Sequence, residues 1–324
     1  MNNLILGFCL SGLLLLTVAL LRYLLVLGTR FAKITGDKAL KFWRAALIIF
    51  LIQQVPPVMV LYFEADVEFK FLALFISLVV IPIVILKILF PIEQGHLVKM
   101  SLPIVVLYPL VAFVFTEYVY KPHVYESYRL VSNDLAPTLL GNHLEATCPQ
   151  CGTEAFVSYD DGRGEIRGEH AICGNFHYIP HKNADIKETP KAPDHVLVNK
   201  MISYKRWDFI VFQNPENANA VILKRVVGLP GDIIEFRNGV LFINNSPANL
   251  PSDLKGVVFD EEQFHLWAIN KPVQMSDSEL FVIGDNANTS RDSRSFRDCA
   301  VPVSSVKGVL THRYWPTERW RTFN

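Results

Sequence analysis

Four apolar stretches crowd into the first 120 residues, and nothing like them follows. They run over about residues 4–27, 45–63, 71–90 and 100–118. A helix crossing the hydrocarbon core of a bilayer needs roughly 20 apolar residues. The first three stretches reach that length, and the fourth ends in an aromatic belt at Tyr118–Tyr120. The first has no basic lead-in and no small-x-small site behind it, so it reads as a span and not as a cleavable signal. Residues 1–120 are therefore expected to form a four-helix transmembrane region.

Charge follows the same division. The chain has 324 residues, 31 basic and 31 acidic, and is 51% hydrophobic. Only 9 Lys and Arg and 6 Asp and Glu fall in 1–120, leaving 22 basic and 25 acidic residues for 121–324. A neutral total of this kind excludes a nucleic-acid binder read from net charge, and the apolar share excludes a disordered chain. The loop after the first stretch carries Arg30, Lys33, Lys38, Lys41 and Arg44. The next is acidic, with Glu64, Asp66 and Glu68 against Lys70, and the third holds Lys87, Lys99 and Glu93. The positive-inside rule puts the first and third loops in the cytoplasm. Both termini and the rest of the chain then lie on the outer, periplasmic side of the inner membrane. Gln53, Gln54, Pro56 and Pro57 interrupt the second stretch. They read as a kinked helix whose amides bond to neighbouring helices.

From Lys121 onward the periodicity changes to short alternating runs. Val196–Asn199, Phe209–Gln213, Val221–Val227, Ile233–Phe236, Val240–Ile243 and Leu280–Ile283 read as strands. Asn238-Gly239 between two of them is a tight-hairpin signal. Residues 121–324 are expected to be one mainly β domain.

Inside it, about residues 142–185 form a polar, Gly-rich insert with Cys148-Pro-Gln-Cys151 and, further on, Cys173 and His177. CxxC plus CxxxH matches a Cys3His structural zinc site of zinc-ribbon type. A disulfide or redox CxxC is the rival in an oxidising exterior. His170 and His181 are spare ligand candidates, or surface histidines. Cys9 and Cys299 read as inert.

Three further blocks stand in the β region. They are Ser132-Asn133-Asp134-Leu135-Ala136-Pro137-Thr138-Leu139, Lys224-Arg225-Val226-Val227-Gly228-Leu229-Pro230-Gly231-Asp232, and Gly284-Asp285-Asn286 followed by Ser290-Arg291-Asp292-Ser293-Arg294. Together they resemble type I signal peptidases, membrane-anchored serine endopeptidases with a Ser/Lys dyad. The resemblance covers roughly 120–315 without the cysteine insert. It implies a β-rich catalytic domain acting on preproteins at the outer membrane face, with no cofactor for catalysis. Carried over, Lys224 is the general base and Ser290 orients it. Asp292 and Arg294 form a supporting ion pair, and Ser132 helps to stabilise the oxyanion.

Two positions depart from the family pattern. Its usual arginine after Gly-Asp-Asn is Ala287 here. Its Ser-x-Ser-Met-x-Pro-Thr-Leu aligns without a gap, and the nucleophilic serine falls on Asp134. A serine hydroxyl needs a base, and a lysine is a base only when neutral, which an apolar frame favours. A carboxylate about 4 Å from an ammonium gains roughly 4 kcal/mol at an effective dielectric of 20, which favours the charged pair. An Asp134–Lys224 ion pair is therefore expected, and with it an impaired peptidase that still binds signal-peptide-like segments. One alternative is an active peptidase with altered chemistry, using Ser132 or Asp134 with Lys224. Another is a structural subunit docking partners of a membrane complex.

Overall fold

The computed structural model describes residues 17–30, 39–53, 72–73, 75–90, 92–259 and 271–323. Two compact units divide it, Met1–Val119 and Tyr120–Asn324.

The first unit is helical over its described residues apart from Phe90, Ile92 and Glu93. Helices cover 17–30, Ala39–Gln53, a run of Ile76–Val80 (π) and Ile81–Leu89 (α), and a run of 30 residues from Gln94 to His123. At about 1.5 Å per residue the last exceeds the roughly 30 Å of a bilayer core. It is the one helix among the described residues that is long and apolar enough to cross a membrane. Val98, Leu102 and Phe113 on it are exposed, while Met100 and Ile104 are buried against Leu21, Leu25, Ala45 and Leu86. Gly28 lets two backbones approach: a Cβ there would lie 2.1 Å from the Met100 carbonyl oxygen.

The expected stretches 4–27, 45–63 and 71–90 run partly outside the described residues, as do Cys9, Gln54, Pro56, Pro57 and the acidic loop. The third loop is shorter than expected. Lys87 lies in the last turn of the Ile81–Leu89 helix and Lys99 in the second turn of the Gln94–Phe115 helix. Gln53 is buried, and its backbone carbonyl accepts a 2.6 Å bond from the Ser77 hydroxyl. Its side-chain amide has no partner among the described residues, and Gln54, the other amide expected to bond to a neighbouring helix, lies outside them.

The second unit is mainly β. Its largest sheet is antiparallel, in the order Tyr125–Arg129, His195–Asn199, Val306–Trp315, Phe209–Gln213, Val221–Gly228, Glu279–Ile283, Val301–Pro302. A second sheet contains the hairpin Ile233–Arg237 and Val240–Ile243, with Arg237 opposite Val240. Asn238 and Gly239 between them have φ of 49° and 75°, the backbone that a type I′ turn demands. The insert forms a third sheet, ordered Tyr178–Pro180, Glu165–Cys173, Glu154–Asp160, His143–Thr147, Asp185–Ile186. The chain leaves and re-enters at one place, since Lys191 N–H donates to the His143 carbonyl at 2.8 Å.

Strand Val306–Trp315 is the longest in the main sheet and carries Gly308 in its interior. A Cβ at Gly308 would come within 2.7 Å of the Asn199 carbonyl oxygen, so the glycine is what permits the neighbouring strand to approach.

Candidate active site

Lys224 stands in the middle of Val221–Gly228, with Val221, Ile222 and Leu223 before it and Arg225, Val226 and Val227 after it. Phe209–Gln213 pairs along its whole length, with Lys224 opposite Ile210. On the other edge Glu279–Ile283 pairs only from Arg225 to Gly228. Residues 221–224 therefore keep one free strand edge among the described residues. Successive side chains alternate across a strand, so Lys224 and Arg225 face opposite ways.

The Lys224 side chain is 2% exposed, and its Nζ lies 2.5 Å from Asp134 Oδ2. Asp134 belongs to the turn formed by residues 132–139 and is 32% exposed at its side chain. Its placement comes from its neighbours. The Asn133 side-chain oxygen accepts from Gly141 N–H at 2.7 Å. Asn286 then donates twice, from its side chain to the Asn133 carbonyl at 3.1 Å and from its backbone to the Asp134 carbonyl at 3.0 Å. Gly284 lies underneath: a Cβ there would sit 2.4 Å from the Asp134 carbonyl oxygen and 2.1 Å from Ser290 Oγ. The far end of the turn is held by buried Asp194, which accepts from Leu140 N–H at 2.8 Å beside Arg313 and Arg319.

Asp292 and Arg294 are fully buried and form a two-pronged ion pair at 2.8 and 2.6 Å. Asp292 also accepts from Gly284 N–H at 2.9 Å. Burial alone would raise its carboxyl, but the charge and hydrogen bonds of Arg294, with Lys224 nearby, hold it below the usual carboxylate range. Ser290 Oγ is buried with no hydrogen-bond partner among the described residues. The contact expected to orient Lys224 is thus made by Asp134 instead. Ser132 is exposed at the rim. A cavity of about 200 Å³ opens here, lined by Tyr128, Val131, Ser132, Asp134, Val221 and Lys224 among others.

A second buried pair had no role assigned from sequence. Arg225 grips Asp285 with bonds of 2.7 and 2.6 Å, reaches Asp253 at 3.2 Å and stacks on Phe209 at 4.0 Å. It ties the lysine strand to the 284–286 loop across a separation of 60 residues. Asn133 and Asn286 likewise meet across 153.

The Cys/His cluster assembles apart from this cavity. One ligand atom from each of Cys148, Cys151, Cys173 and His177 lies within 4.8 Å of the others. Cys151 Sγ is 3.8 Å from Cys173 Sγ, and Cys148 Sγ is 3.6 Å from His177 Nδ1. Cys148, Cys151 and Cys173 are all free thiols, as is Cys299. The Thr153 hydroxyl, 3.0 Å away, draws the Cys151 thiol down to about 5, while burial pushes Cys173 up. His170 and His181 are not part of the cluster.

The profile described as "Signal peptidase, peptidase S26" matches residues 172–315. That range carries Lys224 and the 284–294 block, and begins after residues 132–139. Signal peptidase I of Bacillus caldolyticus is 33% identical over 142 residues, covering 41% of this chain and 75% of that one. The chain belongs to the signal peptidase I family. Signal peptidase I of Leptolyngbya laminosa is 31% identical over 165 residues, covering 47% and 74% of the two chains. A solved signal peptidase I from Enterococcus faecalis V583 shares 32% identity over 34% of this chain and 98% of that one, with a TM-score of 0.29.

Proposed function

We propose that this chain is a signal-peptidase-I-like membrane protein that receives extended, signal-peptide-like segments beside Lys224 and is impaired as a peptidase. The observation that carries the proposal is the 2.5 Å contact between Lys224 Nζ and Asp134 Oδ2. An ammonium engaged with a carboxylate has no lone pair with which to take a proton from a hydroxyl. Asp134 offers no hydroxyl at the position where the family resemblance puts the nucleophile. Its negative charge also opposes an oxyanion forming next to it.

Binding is a separate matter from cleavage. The open edge of residues 221–224 and the apolar walls of the cavity suit a strand added by its main chain, with side chains entering the cavity alternately. Preprotein segments are the substrates read from the family.

The 30-residue apolar helix supports a membrane anchor. Together with the charge of the loops it supports a multi-pass inner-membrane protein with both termini and the β domain outside. The four converging donors support a structural zinc site in the insert. A second reading, an active enzyme with altered chemistry, is favoured by Ser132, which is exposed and lines the same cavity as Lys224.

Incubating the detergent-solubilised chain with a preprotein, beside an Asp134→Ser variant, separates the readings. The expected result is binding without cleavage by the natural chain and cleavage by the variant. Cleavage by the natural chain overturns the proposal, and its loss in Ser132→Ala would then establish the second reading. Absence of preprotein binding by both proteins would leave a structural role in a membrane assembly.

A further inference from the structure

The cysteine insert is too thinly built to hold its own shape. The core that it makes for itself is Leu144, Ala146, Ala155, Val157, Ala171 and Ile179 with two cysteines, so three of the six are alanine, while its buried Ile172 and Phe176 pack in the main core instead. Small units of this kind ordinarily need a metal or a cross-link. The donor atoms fit one. A tetrahedron with bonds of about 2.3 Å to sulfur has S–S edges of about 3.8 Å, and somewhat shorter S–N edges. The separations are 3.8 Å for Cys151–Cys173 and 3.6 Å for Cys148–His177. Both knuckles are tight turns: Gly152 N–H donates to the Cys148 carbonyl at 2.8 Å, and Phe176 N–H to the Cys173 carbonyl at 2.9 Å.

The second turn points to what such a metal would hold. Phe176 sits between the last two donors with φ of 60°, a left-handed backbone that a bulky residue rarely adopts. Its ring is 6% exposed and packs in the main core of the β domain, not in the core of the insert. That core also contains Ala136, Val227 and Ala287, one residue from each of the three blocks around Lys224. Two residues after Phe176, the Tyr178 hydroxyl accepts from Asn288 N–H at 3.3 Å. Asn288 lies in the loop between Asn286, which holds Asp134, and Ser290. The turn that carries two of the donors is therefore the same turn that buttresses the floor of the groove.

We propose that one Zn2+, bound by Cys148, Cys151, Cys173 and His177, locks the 173–178 turn, and that Phe176 and Tyr178 transmit this order to residues 284–292. Metal content then governs whether the loop that positions Asp134 is fixed. The inference rests on the zinc reading given above and adds to it the element that the metal controls.

The test uses the full chain in detergent and needs no peptidase activity. Zinc per chain is measured by atomic emission. Amide hydrogen exchange is then followed before chelation, after stripping, and after zinc is restored. The expected result is one zinc per chain. Stripping should raise exchange about ten-fold or more in 143–186 and in 284–292, reversibly, while 306–315 stays protected. A Tyr178→Phe variant should keep its zinc and exchange faster around Asn288. A chain without zinc, purified in the absence of chelator, overturns the metal reading itself. Zinc present with 284–292 indifferent to its removal overturns the coupling and leaves the metal site standing. Loss of protection throughout, 306–315 included, also overturns a selective clamp.

Discussion

The Asp134–Lys224 pair can be weighed by a double-mutant cycle of Asp134→Asn, Lys224→Met and both together. Two unit charges about 4 Å apart at an effective dielectric of 20 attract by roughly 4 kcal/mol. Here Nζ and Oδ2 are 2.5 Å apart, but the Asp134 side chain is 32% exposed and water screens it. Exposed pairs give at most about 1 kcal/mol, whereas removing one partner of a fully buried pair costs about 3–5 kcal/mol. A pair with one buried and one partly wetted member belongs between these, with a coupling of about 1–3 kcal/mol. The two single changes should not be equal. Asp134→Asn leaves an ammonium, 2% exposed, with nearby Asp292 already engaged by Arg294. Lys224→Met leaves a carboxylate that can turn to water and puts an apolar side chain on the strand face that it shares with Ile222 and Val226. Asp134→Asn should therefore be the more destabilising change, and the double variant should recover part of the loss. Denaturant unfolding of the solubilised chain, followed by far-UV circular dichroism, gives the four free energies. A coupling within about 0.5 kcal/mol of zero, the usual error of additivity, would refute the reasoning.

Other expectations follow from the same contacts. Gly284→Ala puts a Cβ against the Asp134 carbonyl and Ser290 Oγ and should cost about 3 kcal/mol; an unchanged melting temperature would count against the close packing. Asp285→Asn removes the two-pronged partner of buried Arg225 and should destabilise by about 3–5 kcal/mol, read in the same unfolding assay. Asp292 is held below the ordinary carboxylate range, so its stabilising share is full above about pH 4 and is lost as pH falls through the lower folded value. Unfolding free energy should therefore decline on the acid side in the natural chain, with a shallower decline in Asp292→Asn.

Much of the β domain was legible in the sequence because its strands alternate and its turns are punctuated. Phe209–Gln213 and Val240–Ile243 have the bounds that alternation predicts, and Asn238-Gly239 marks its hairpin. Val306–Trp315 escaped because Gly308, His312 and Arg313 break the alternation, although the glycine is there to admit Asn199. At the site, the residue types were legible and their contacts were not. Asp134 and Lys224 are 90 residues apart in the chain, and the alignment that pairs them says nothing of which atom meets which. The holding roles of Asn133, Asn286 and the Arg225–Asp285 pair arise from long-range backbone placement, which leaves no periodic trace. Ser290 shows the converse: its motif position suggests an orienting bond, and its hydroxyl is buried without one.

The insert returns to the sheet where it left, at His143 and Lys191. The turn 161–164 lies at this same end: His143 pairs with Ser158, and Asp161 reaches Arg129 of the main sheet at 3.5 Å, although all four residues of the turn are exposed. The far end of the insert is the turn joining Thr147 to Glu154, which holds Cys148 and Cys151, and the neighbouring residues 172–178 are packed into the domain. A fluorophore attached at the 161–164 turn would accordingly report on the groove itself, because Arg129, the partner of Asp161, lines the cavity beside Asp134 and Lys224.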